Sequence, residues 1–476
     1  MLMISLQPPV ITLVVAMTAC SGRTEVVTGD ALVALEHATI IDGTGGQPRG
    51  DAVVVLSGDR ILWVGRMGQY RYPGATVVDL TTHWLVPGFM DLHAHMDLDG
   101  HPQSAEFEAK RAATLLAFGI TTIRSAGGPW EATTKLRARI AEGKLLGPRM
   151  FTAGPLIDLA GGMWSNSLAA VEVRTAEEVR AEVRRQAAAG VDFVKFYTQV
   201  NRDLLRAGIE EAHAARVRVM GHLGATSWTD AARFGIDALT HSGVAGVGRQ
   251  FVLQDKQARF REFYFPNPRF DPTQFGAWRQ AVNVDGPETQ GLISTLVEHR
   301  VEVNPTLVMT EATYWGDDAA VREALEPDYA TPAEAVAWRK SPFVYSASWP
   351  KSALSEAKAT FPVVLQIVRR FHARGVLLTT GTDLAAPWIT PGVSLHHEME
   401  LLARAGIPTL DVLTIATANG ARALGILDEV GTIEPGKRAD LVVLSADPVK
   451  DIRNTRKIAV VFLAGHRLMP DQLLGR

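Results

Sequence analysis

Eight short apolar stretches alternate with helix-like segments through the middle of this 476-residue chain, and this alternation constrains the fold most strongly. Such alternation predicts parallel β/α units, because strands that run parallel need a crossover long enough to hold a helix. The predicted strands cover residues 88–93, 119–124, 149–153, 192–197, 217–222, 238–241, 302–307 and 376–382. Eight units are the number in a (β/α)8 TIM barrel, an α/β fold whose functional side chains gather at the carboxyl ends of the strands.

One predicted helix carries signals at both of its ends. The stretch "TAEEVRAEVRRQAAAG" begins at Thr175, a residue type that caps helices, and ends at Gly190, a residue type that stops them. We therefore expect a helix between these two residues, in the crossover that precedes the fourth strand.

Two β-rich segments flank the predicted barrel, which occupies residues 87–424. Residues 29–86 and 425–476 contain short apolar runs broken by Gly and Asp, as in "DAVVVLSGDRILWVG" and "DLVVLSADP". This sequence pattern is typical of antiparallel strands joined by tight turns. We predict that the two segments together build one small β-sandwich domain.

Two connections inside the barrel region are far longer than ordinary loops. These insertions, at residues 242–300 and 310–353, are dense in aromatic residues and follow predicted strands, so both are expected above the carboxyl face. We predict that they wall the pocket opening and hold an apolar substrate group. The alternative is that they pack as additional helices, for stability or for oligomer contacts.

The first twenty residues read as an export signal. The apolar run "VITLVVAMTA" is too short for a transmembrane helix and ends at Cys20, the single cysteine of the chain. The stretch "AMTACSG" resembles the lipobox of bacterial lipoproteins, which implies a lipid anchor at Cys20 and a periplasmic protein on the outer membrane. The alternatives are a cleaved signal of a soluble protein, or a buried first strand.

The charge balance argues against a nucleic-acid partner. The chain has 48 basic and 51 acidic residues, a net charge of −3, and no basic block. We expect a small-molecule substrate, and contact with the membrane only through the lipid anchor.

Residues that can bind metals follow five of the predicted strands. In "VPGFMDLHAHMD", His93 and His95 are two residues apart, so both side chains project from one face of the strand end. Alone, this pair is compatible with chance. Four further candidates stand at corresponding positions on other strands: Lys195, His222, His241 and Asp383. Six potential ligands at one end of a barrel predict a metal site.

These residues resemble the binuclear-metal subtype of the amidohydrolase superfamily, from about residue 31 to the C-terminus. The stretches "PGFMDLHAH" and "GTIEPGKRADLVVL" carry the resemblance, and "DFVKFY" and "VMGHLGA" are similar to imidazolonepropionase-like and Xaa-Pro-dipeptidase-like members. The resemblance implies a metal-dependent hydrolase of amide C–N bonds in small substrates, such as N-acyl amino acids or dipeptides.

The resemblance also implies a role for each ligand. His93, His95 and Asp383 would hold the more buried metal, and His222 and His241 the second. Lys195, carboxylated by CO₂, would bridge the two ions, and burial favours the neutral amine that this reaction requires. Imidazole and carboxylate ligands without thiolates suit two Zn²⁺ ions, with Mn²⁺, Fe²⁺ or Co²⁺ as alternatives. Asp383 would also carry a proton from the attacking hydroxide to the leaving group.

Two residues are candidates for substrate binding. Tyr197 shares the strand face of Lys195, and Arg124 ends the second strand, so both could meet a substrate carboxylate. A packed tyrosine at the barrel rim is the alternative for Tyr197. Relatives often have Arg-Asp where this chain has Arg124 and Ser125, which puts a role carried by that pair in doubt.

Three other functions remain open at this point. A lactonase or phosphotriesterase would use the same two metals, and a solute-binding lipoprotein would use the fold without catalysis. A mononuclear deaminase would normally carry a glutamate three residues after the histidine of the fifth strand. This chain has Ala225 there, which argues against deamination.

Overall fold

The computed structural model describes residues 25–26, 32–97, 104–243, 275–340 and 349–476. The predicted signal segment with Cys20, and parts of both long insertions, lie outside the described residues. Within the described ranges, no helix has both the length and the apolar character needed to cross a bilayer.

Short strands and helices alternate along most of the described chain. The strands are β1 (Glu25–Val26), β2 (Leu32–Ile40), β3 (Arg49–Ser57), β4 (Arg60–Arg66), β5 (Tyr70–Arg71), β6 (Thr76–Asp79), β7 (Trp84–Pro87), β8 (Phe89–Ala94), β9 (Ile120–Ser125), β10 (Arg149–Thr152), β11 (Leu156–Leu159), β12 (Ala170–Val173), β13 (Phe193–Phe196), β14 (Arg218–Gly221), β15 (Ala238–Thr240), β16 (Glu302–Asn304), β17 (Leu377–Leu378), β18 (Leu441–Leu444), β19 (Ile458–Leu463) and β20 (His466–Leu468). The α-helices are α1 (Ala105–Ala117), α2 (Trp130–Ala141), α3 (Ala176–Ala188), α4 (Arg202–Ala214), α5 (Trp228–Phe234), α6 (Phe275–Ala281), α7 (Pro287–Glu298), α8 (Leu307–Tyr314), α9 (Ala319–Ala324), α10 (Pro332–Lys340), α11 (Lys351–Ala373), α12 (Val393–Arg404), α13 (Thr409–Ile415), α14 (Ala418–Leu424) and α15 (Pro470–Leu473). Two 3₁₀ helices cover Pro327–Tyr329 and Ile452–Arg456.

The two terminal segments share one sheet. Its strand order is β20-β19-β18-β7-β2-β3-β4, with β6 paired to β2, so strands from both ends of the chain lie side by side. The strand β7 joins them, because it pairs with β18 on one side and β2 on the other. The ladders of the described residues join these strands into one eight-stranded sheet built from both terminal segments, and its packing as a sandwich stays a prediction.

The central strands form two parallel sheets. The strands β10, β9 and β8 make a three-stranded sheet, and β12-β11-β13-β14-β15-β16-β17 make a seven-stranded one. All eight predicted strand regions contain a strand, whereas β11 and β12 were not predicted from their short apolar runs. Isolated bridges pair Ala153, after β10, with Phe193 of β13, and Ala94 of β8 with Leu384, in the segment after β17. Among the described strands, no continuous ladder closes them into a barrel.

The helix α3 begins and ends as its sequence predicts. The Thr175 side chain accepts a hydrogen bond from the Glu178 backbone, and the Glu178 carboxylate accepts one from the Thr175 backbone, which completes a capping box. Gly190 follows the helix with a φ of 78°, a conformation that glycine adopts at little cost.

The described parts of the two insertions are helical, and their aromatic side chains pack against the core. The ring of Phe275 lies 5.1 Å from that of Tyr314 and 5.3 Å from that of Trp349. Tyr314 in turn packs edge-on against Phe361 of α11 at 6.2 Å. These rings therefore stabilise the helical layer, and the choice between the two interpretations of the insertions stays open because residues 244–274 and 341–348 lie outside the described residues.

Candidate metal centre

The first two candidate ligands lie where β8 ends, and Asp383 reaches them from the segment after β17. His93 is the fifth residue of β8, and His95 follows the strand directly. One oxygen of Asp383, Oδ1, lies 3.3 Å from His93 Nε2 and 3.2 Å from His95 Nε2. Burial would raise the pKa of Asp383, but the neighbouring His93 and His95 hold it well below its usual range. The carboxylate is therefore an anion among imidazoles.

Lys195 lies inside β13 and points into the same cluster. Its Nζ is 3.0 Å from His93 Nε2, and the side chain is 1% exposed. Burial lowers the pKa of Lys195 from 10.5 to about 7, a shift that Asp383 partly opposes. A substantial fraction of this lysine is thus a neutral amine near neutral pH.

His222 and His241 complete the cluster from the ends of the next two strands. Their rings lie 4.3 Å apart between centroids, and the ring of His241 lies 4.7 Å from that of His93. His241 adopts a φ of 68°, which turns the chain sharply after β15. Burial, together with the nearby Lys195, lowers the pKa of His222 to about 3, so its imidazole is neutral. The structure thus brings together all six residues that the sequence singled out.

Hydrogen bonds around the cluster determine which imidazole nitrogen carries the proton. His95 Nδ1 lies 2.9 Å from the Gly127 carbonyl, which can only accept, so Nδ1 carries the hydrogen. The Thr306 hydroxyl donates to the Pro305 carbonyl and therefore accepts from His241 Nδ1, 2.8 Å away. In the neutral form of each ring the lone pair is therefore on Nε2, and in His95 this nitrogen lies 3.2 Å from Asp383 Oδ1.

This donor set fits divalent metal ions. Ligand atoms of His93, His241 and Asp383 all lie within 4.8 Å of one another. Neutral imidazole nitrogens and one carboxylate are ligands that Zn²⁺ accepts, and the outer hydrogen bonds are of the kind that orient metal-binding histidines. The residues present therefore suit a metal centre without rearrangement of the strands.

Asp91 is a supporting residue that sequence reasoning missed. Its Oδ1 accepts hydrogen bonds from the backbone of His93 at 3.2 Å and Thr382 at 3.1 Å, and its Oδ2 accepts one from the Thr382 hydroxyl at 2.7 Å. Asp91 thus ties the end of β8 to the residue before Asp383. The sequence signal that could have identified Asp91 is its position two residues before His93, on the same face of the strand.

A second missed residue, Glu398 of α12, supports His241 through the helix α8. The Thr306 hydroxyl forms hydrogen bonds with His241 and with the Pro305 carbonyl. Two residues further on, Val308 N donates a hydrogen bond to Glu398 Oε2 at 2.7 Å. Burial raises the pKa of Glu398 to about 8, and its oxygen provides an acceptor for an amide that has no partner within the first turn of the helix. Glu398 therefore helps to hold the turn from which Thr306 orients His241.

Arg124 does not face a substrate pocket, which corrects the expectation for this residue. It is 0% exposed, and its two amino nitrogens donate to Glu302 at 2.7 and 2.9 Å. Its Nε donates to the Leu92 carbonyl at 2.8 Å. The guanidinium thus has an internal partner in place of the expected substrate carboxylate.

Tyr197 lies at the rim of the cluster. Its ring packs edge-on against His222, with centroids 4.7 Å apart, and its side chain is 8% exposed. The hydroxyl lies 3.7 Å from the sulfur of Met163, a residue on the loop between β11 and β12. The hydroxyl is thus close to an exposed side chain at the edge of the site.

Comparison with known proteins identifies proteins that are similar to this chain in sequence and in structure. The chain is 38% identical over 103 residues to a 5′-deoxyadenosine deaminase of Methanothermobacter thermautotrophicus, covering 20% of this chain and 22% of that protein. It is 35% identical over 102 residues to an imidazolonepropionase of Pseudomonas fluorescens, covering 20% and 23%. The chain thus matches less than a quarter of the length of these curated relatives.

A solved structure matches nearly the whole chain. It is a Xaa-Pro dipeptidase with bound methionine in the active site, superposed with a TM-score of 0.65 at 20% identity over 92% of this chain and 100% of that one. At this identity the likeness shows a shared fold. The amidohydrolase family model matches residues 84–257 and 344–468, more than half of the chain and all six clustered residues. The chain therefore belongs to the amidohydrolase family.

Proposed function

We propose that this protein is a metal-dependent hydrolase that cleaves amide C–N bonds in small substrates, such as N-acyl amino acids or dipeptides. The observation that carries the proposal is the convergence of His93, Asp383 and Lys195 with three further imidazoles at the strand ends. The names of the relatives, which include an imidazolonepropionase and a Xaa-Pro dipeptidase, support hydrolysis at C–N bonds.

Six side chains would hold two divalent ions, for which Zn²⁺ is our first choice: His93, His95, Lys195, His222, His241 and Asp383. When bound, such ions polarise a scissile carbonyl and lower the pKa of water toward ~7. Lys195 would take part as a carbamate, formed when its neutral amine attacks CO₂ and loses a proton. Its depressed pKa supports that reaction.

Asp383 is the proposed proton carrier. It is an anion at neutral pH, and it is one of the two cluster members that solvent partly reaches. It can accept a proton from the attacking water and return it to the leaving nitrogen. Tyr197, at the rim, would contact the substrate carboxylate.

We further propose that the two parallel sheets close into the (β/α)8 barrel. The backbone amide of Leu92 donates to Thr380 at 2.9 Å, and that of His95 donates to Leu384 at 2.8 Å. The parallel bridge between Ala153 and Phe193 joins the end of β10 to β13 on the other side. These contacts support closure around the metal centre.

The proposal is tested by metal analysis and by a hydrolysis screen on the same preparation. We expect about two metal ions per chain, and turnover of N-acyl amino acids or dipeptides that stops on chelation. Turnover of lactones or phosphotriesters alone would refute amide specificity. A protein without metal or turnover would instead be a binding protein.

Deamination is a second candidate, because the relative from Methanothermobacter is named a deaminase. The loop after His222 has Ala225 where adenosine-type deaminases place a glutamate, which makes hydrolysis of amides the better proposal. Release of ammonia from 5′-deoxyadenosine would reverse this preference.

For the location, we propose export and a lipid anchor at Cys20, on the outer membrane. The apolar run before Cys20 and Ser21 after it support this placement. Metabolic labelling with a radioactive fatty acid should mark the wild type and not Cys20→Ser. An unlabelled wild-type protein in the cytosol would contradict the proposal.

A further inference from the structure

The exposure of the six clustered residues shows from which side a substrate reaches them. His93, His95, Lys195 and His241 are buried, whereas His222 and Asp383 are partly exposed. The accessible side of the cluster is therefore the side on which these two residues lie. Groups next to His222 on that side are in a position to contact a bound substrate.

Tyr197 lies beside His222, and Met163 lies beyond Tyr197 toward solvent. Tyr197 packs edge-on against the His222 ring, and its hydroxyl lies 3.7 Å from Met163 Sδ. The fractional exposure rises along this line, from 8% for Tyr197 to 48% for Met163. Met163 is thus a large, exposed apolar side chain. It contacts Tyr197, which in turn contacts His222 of the metal cluster.

The loop that carries Met163 is fastened to the strand that carries Lys195. Ile157 of β11 pairs with Phe196 of β13, and its carbonyl accepts a hydrogen bond from Tyr197 N at 2.9 Å. Asp158 Oδ1 accepts a hydrogen bond from Gln199 N at 2.8 Å. The base of the loop and the segment after Tyr197 are therefore held together.

The loop also packs tightly on Asp158. A side chain added at Gly162 would place its Cβ 2.4 Å from Asp158 Oδ2, so only glycine fits this position without a shift. The residue next to Met163 is thus in close contact with a 3%-exposed carboxylate. The residue before Met163 is therefore packed against the base of the loop in the absence of a substrate.

We propose that Met163 is a specificity-determining residue whose thioether side chain contacts the apolar group of the substrate beside Tyr197. This inference rests on the proposed function and deepens it, because it assigns a side chain that selects substrates with an apolar group. A flexible thioether adapts to apolar groups of different shape, so we expect preference for size and apolarity and little preference for branching.

The test compares two amides that differ in an apolar group, N-acetyl-L-phenylalanine and N-acetylglycine, in the metal-loaded full-length protein. Met163→Ala should lower the ratio of their kcat/KM values roughly tenfold, the scale of one lost apolar contact in a pocket. Met163→Leu should keep the ratio within about threefold, because it retains apolar volume. Leu168→Ala is the matched control, since Leu168 lies on the same loop and is 65% exposed.

A binding measurement separates this inference from the proposed function. Calorimetry gives the ratio of dissociation constants for 3-phenylpropanoate and propanoate, two acids without a scissile amide. A roughly tenfold change in Met163→Ala supports the inference, even if the wild type hydrolyses neither amide and the proposed function fails. Unchanged ratios in both experiments would overturn it, as would an equal effect of Leu168→Ala.

Discussion

Arg124 and Glu302 form a bidentate ion pair inside the strand layer, with nitrogen–oxygen distances of 2.7 and 2.9 Å and at most 2% exposure of either residue. The Thr379 hydroxyl donates to the same carboxylate at 2.6 Å. The pair links β9 to β16. Thr379, which directly follows β17, connects the pair to that strand. It belongs to the scaffold that positions the strand ends.

Removing one partner of this pair should destabilise the protein strongly. Arg124→Met leaves Glu302 buried without its cation, so we expect a loss of about 3–5 kcal/mol in the free energy of unfolding. Arg124→Met combined with Glu302→Leu should recover part of this loss. Urea denaturation measures both, with the exposed Arg174→Met as control. A single variant within about 1 kcal/mol of the wild type would contradict the prediction.

Lys195→Ala should abolish metal binding and activity together. The variant removes the proposed bridging group, whereas the five other candidate ligands remain. Acetate or propanoate should restore part of both, because a short carboxylate can occupy the space of a carbamate. Elemental analysis and turnover are measured on the same sample, beside the exposed Lys135→Ala. Two metal ions and full activity in Lys195→Ala would exclude Lys195 as the bridging ligand.

The strand positions and the residues of the metal cluster could be predicted because both depend on local order in the chain. Apolar runs indicated the strands, and the residues next to His93 and Asp383 were enough to place both at predicted strand ends. The partner of Arg124 could not be predicted in this way, since Glu302 is 178 residues away. The hydrogen bond from Val308 to Glu398 spans 90 residues and depends on how two helices pack.

The short strands β11 and β12 were missed for a different reason. Each has four residues, so neither carries enough alternation to stand out from a loop. They carry the loop on which Met163 lies, the residue that we propose selects the substrate. In the two insertions the described rings pack against the core. Much of the aromatic-rich sequence lies outside the described residues, so the pocket wall stays a prediction.

Asp383→Asn should lower kcat by ~10²-fold or more, the usual scale for a general acid–base group. The amide cannot accept the proton that the carboxylate is proposed to take, and it keeps nearly the same shape. Because Asp383 is also a candidate ligand, metal content is measured alongside activity. A variant with full metal occupancy and unchanged kcat would leave Asp383 as a ligand without a proton-transfer role.

The helix pair behind the metal centre should show a pH-dependent stability that His397 controls. His397 Nε2 lies 2.6 Å from Glu311 Oε2, and Arg404 donates to the other oxygen of Glu311 at 2.9 Å. Burial alone would lower the pKa of His397, but the hydrogen bonds to Glu311 and Glu400 outweigh it and raise the pKa to about 9. Protonated His397 therefore links α12 to α8, the helix that begins next to Thr306.

The sign of the effect follows from a folded pKa above the unfolded value of ~6.5. The stabilisation from His397 is complete below pH ~6.5 and is lost as the pH rises through about 9. We expect His397→Gln to cost on the order of 2 kcal/mol in the free energy of unfolding at pH 6, and much less at pH 10. Urea denaturation of both proteins at the two pH values measures this difference. His466→Gln, on the exposed strand β20, is the control for replacing a histidine. A His397→Gln effect of equal size at both pH values would show that the side chain acts through packing and not through its charge.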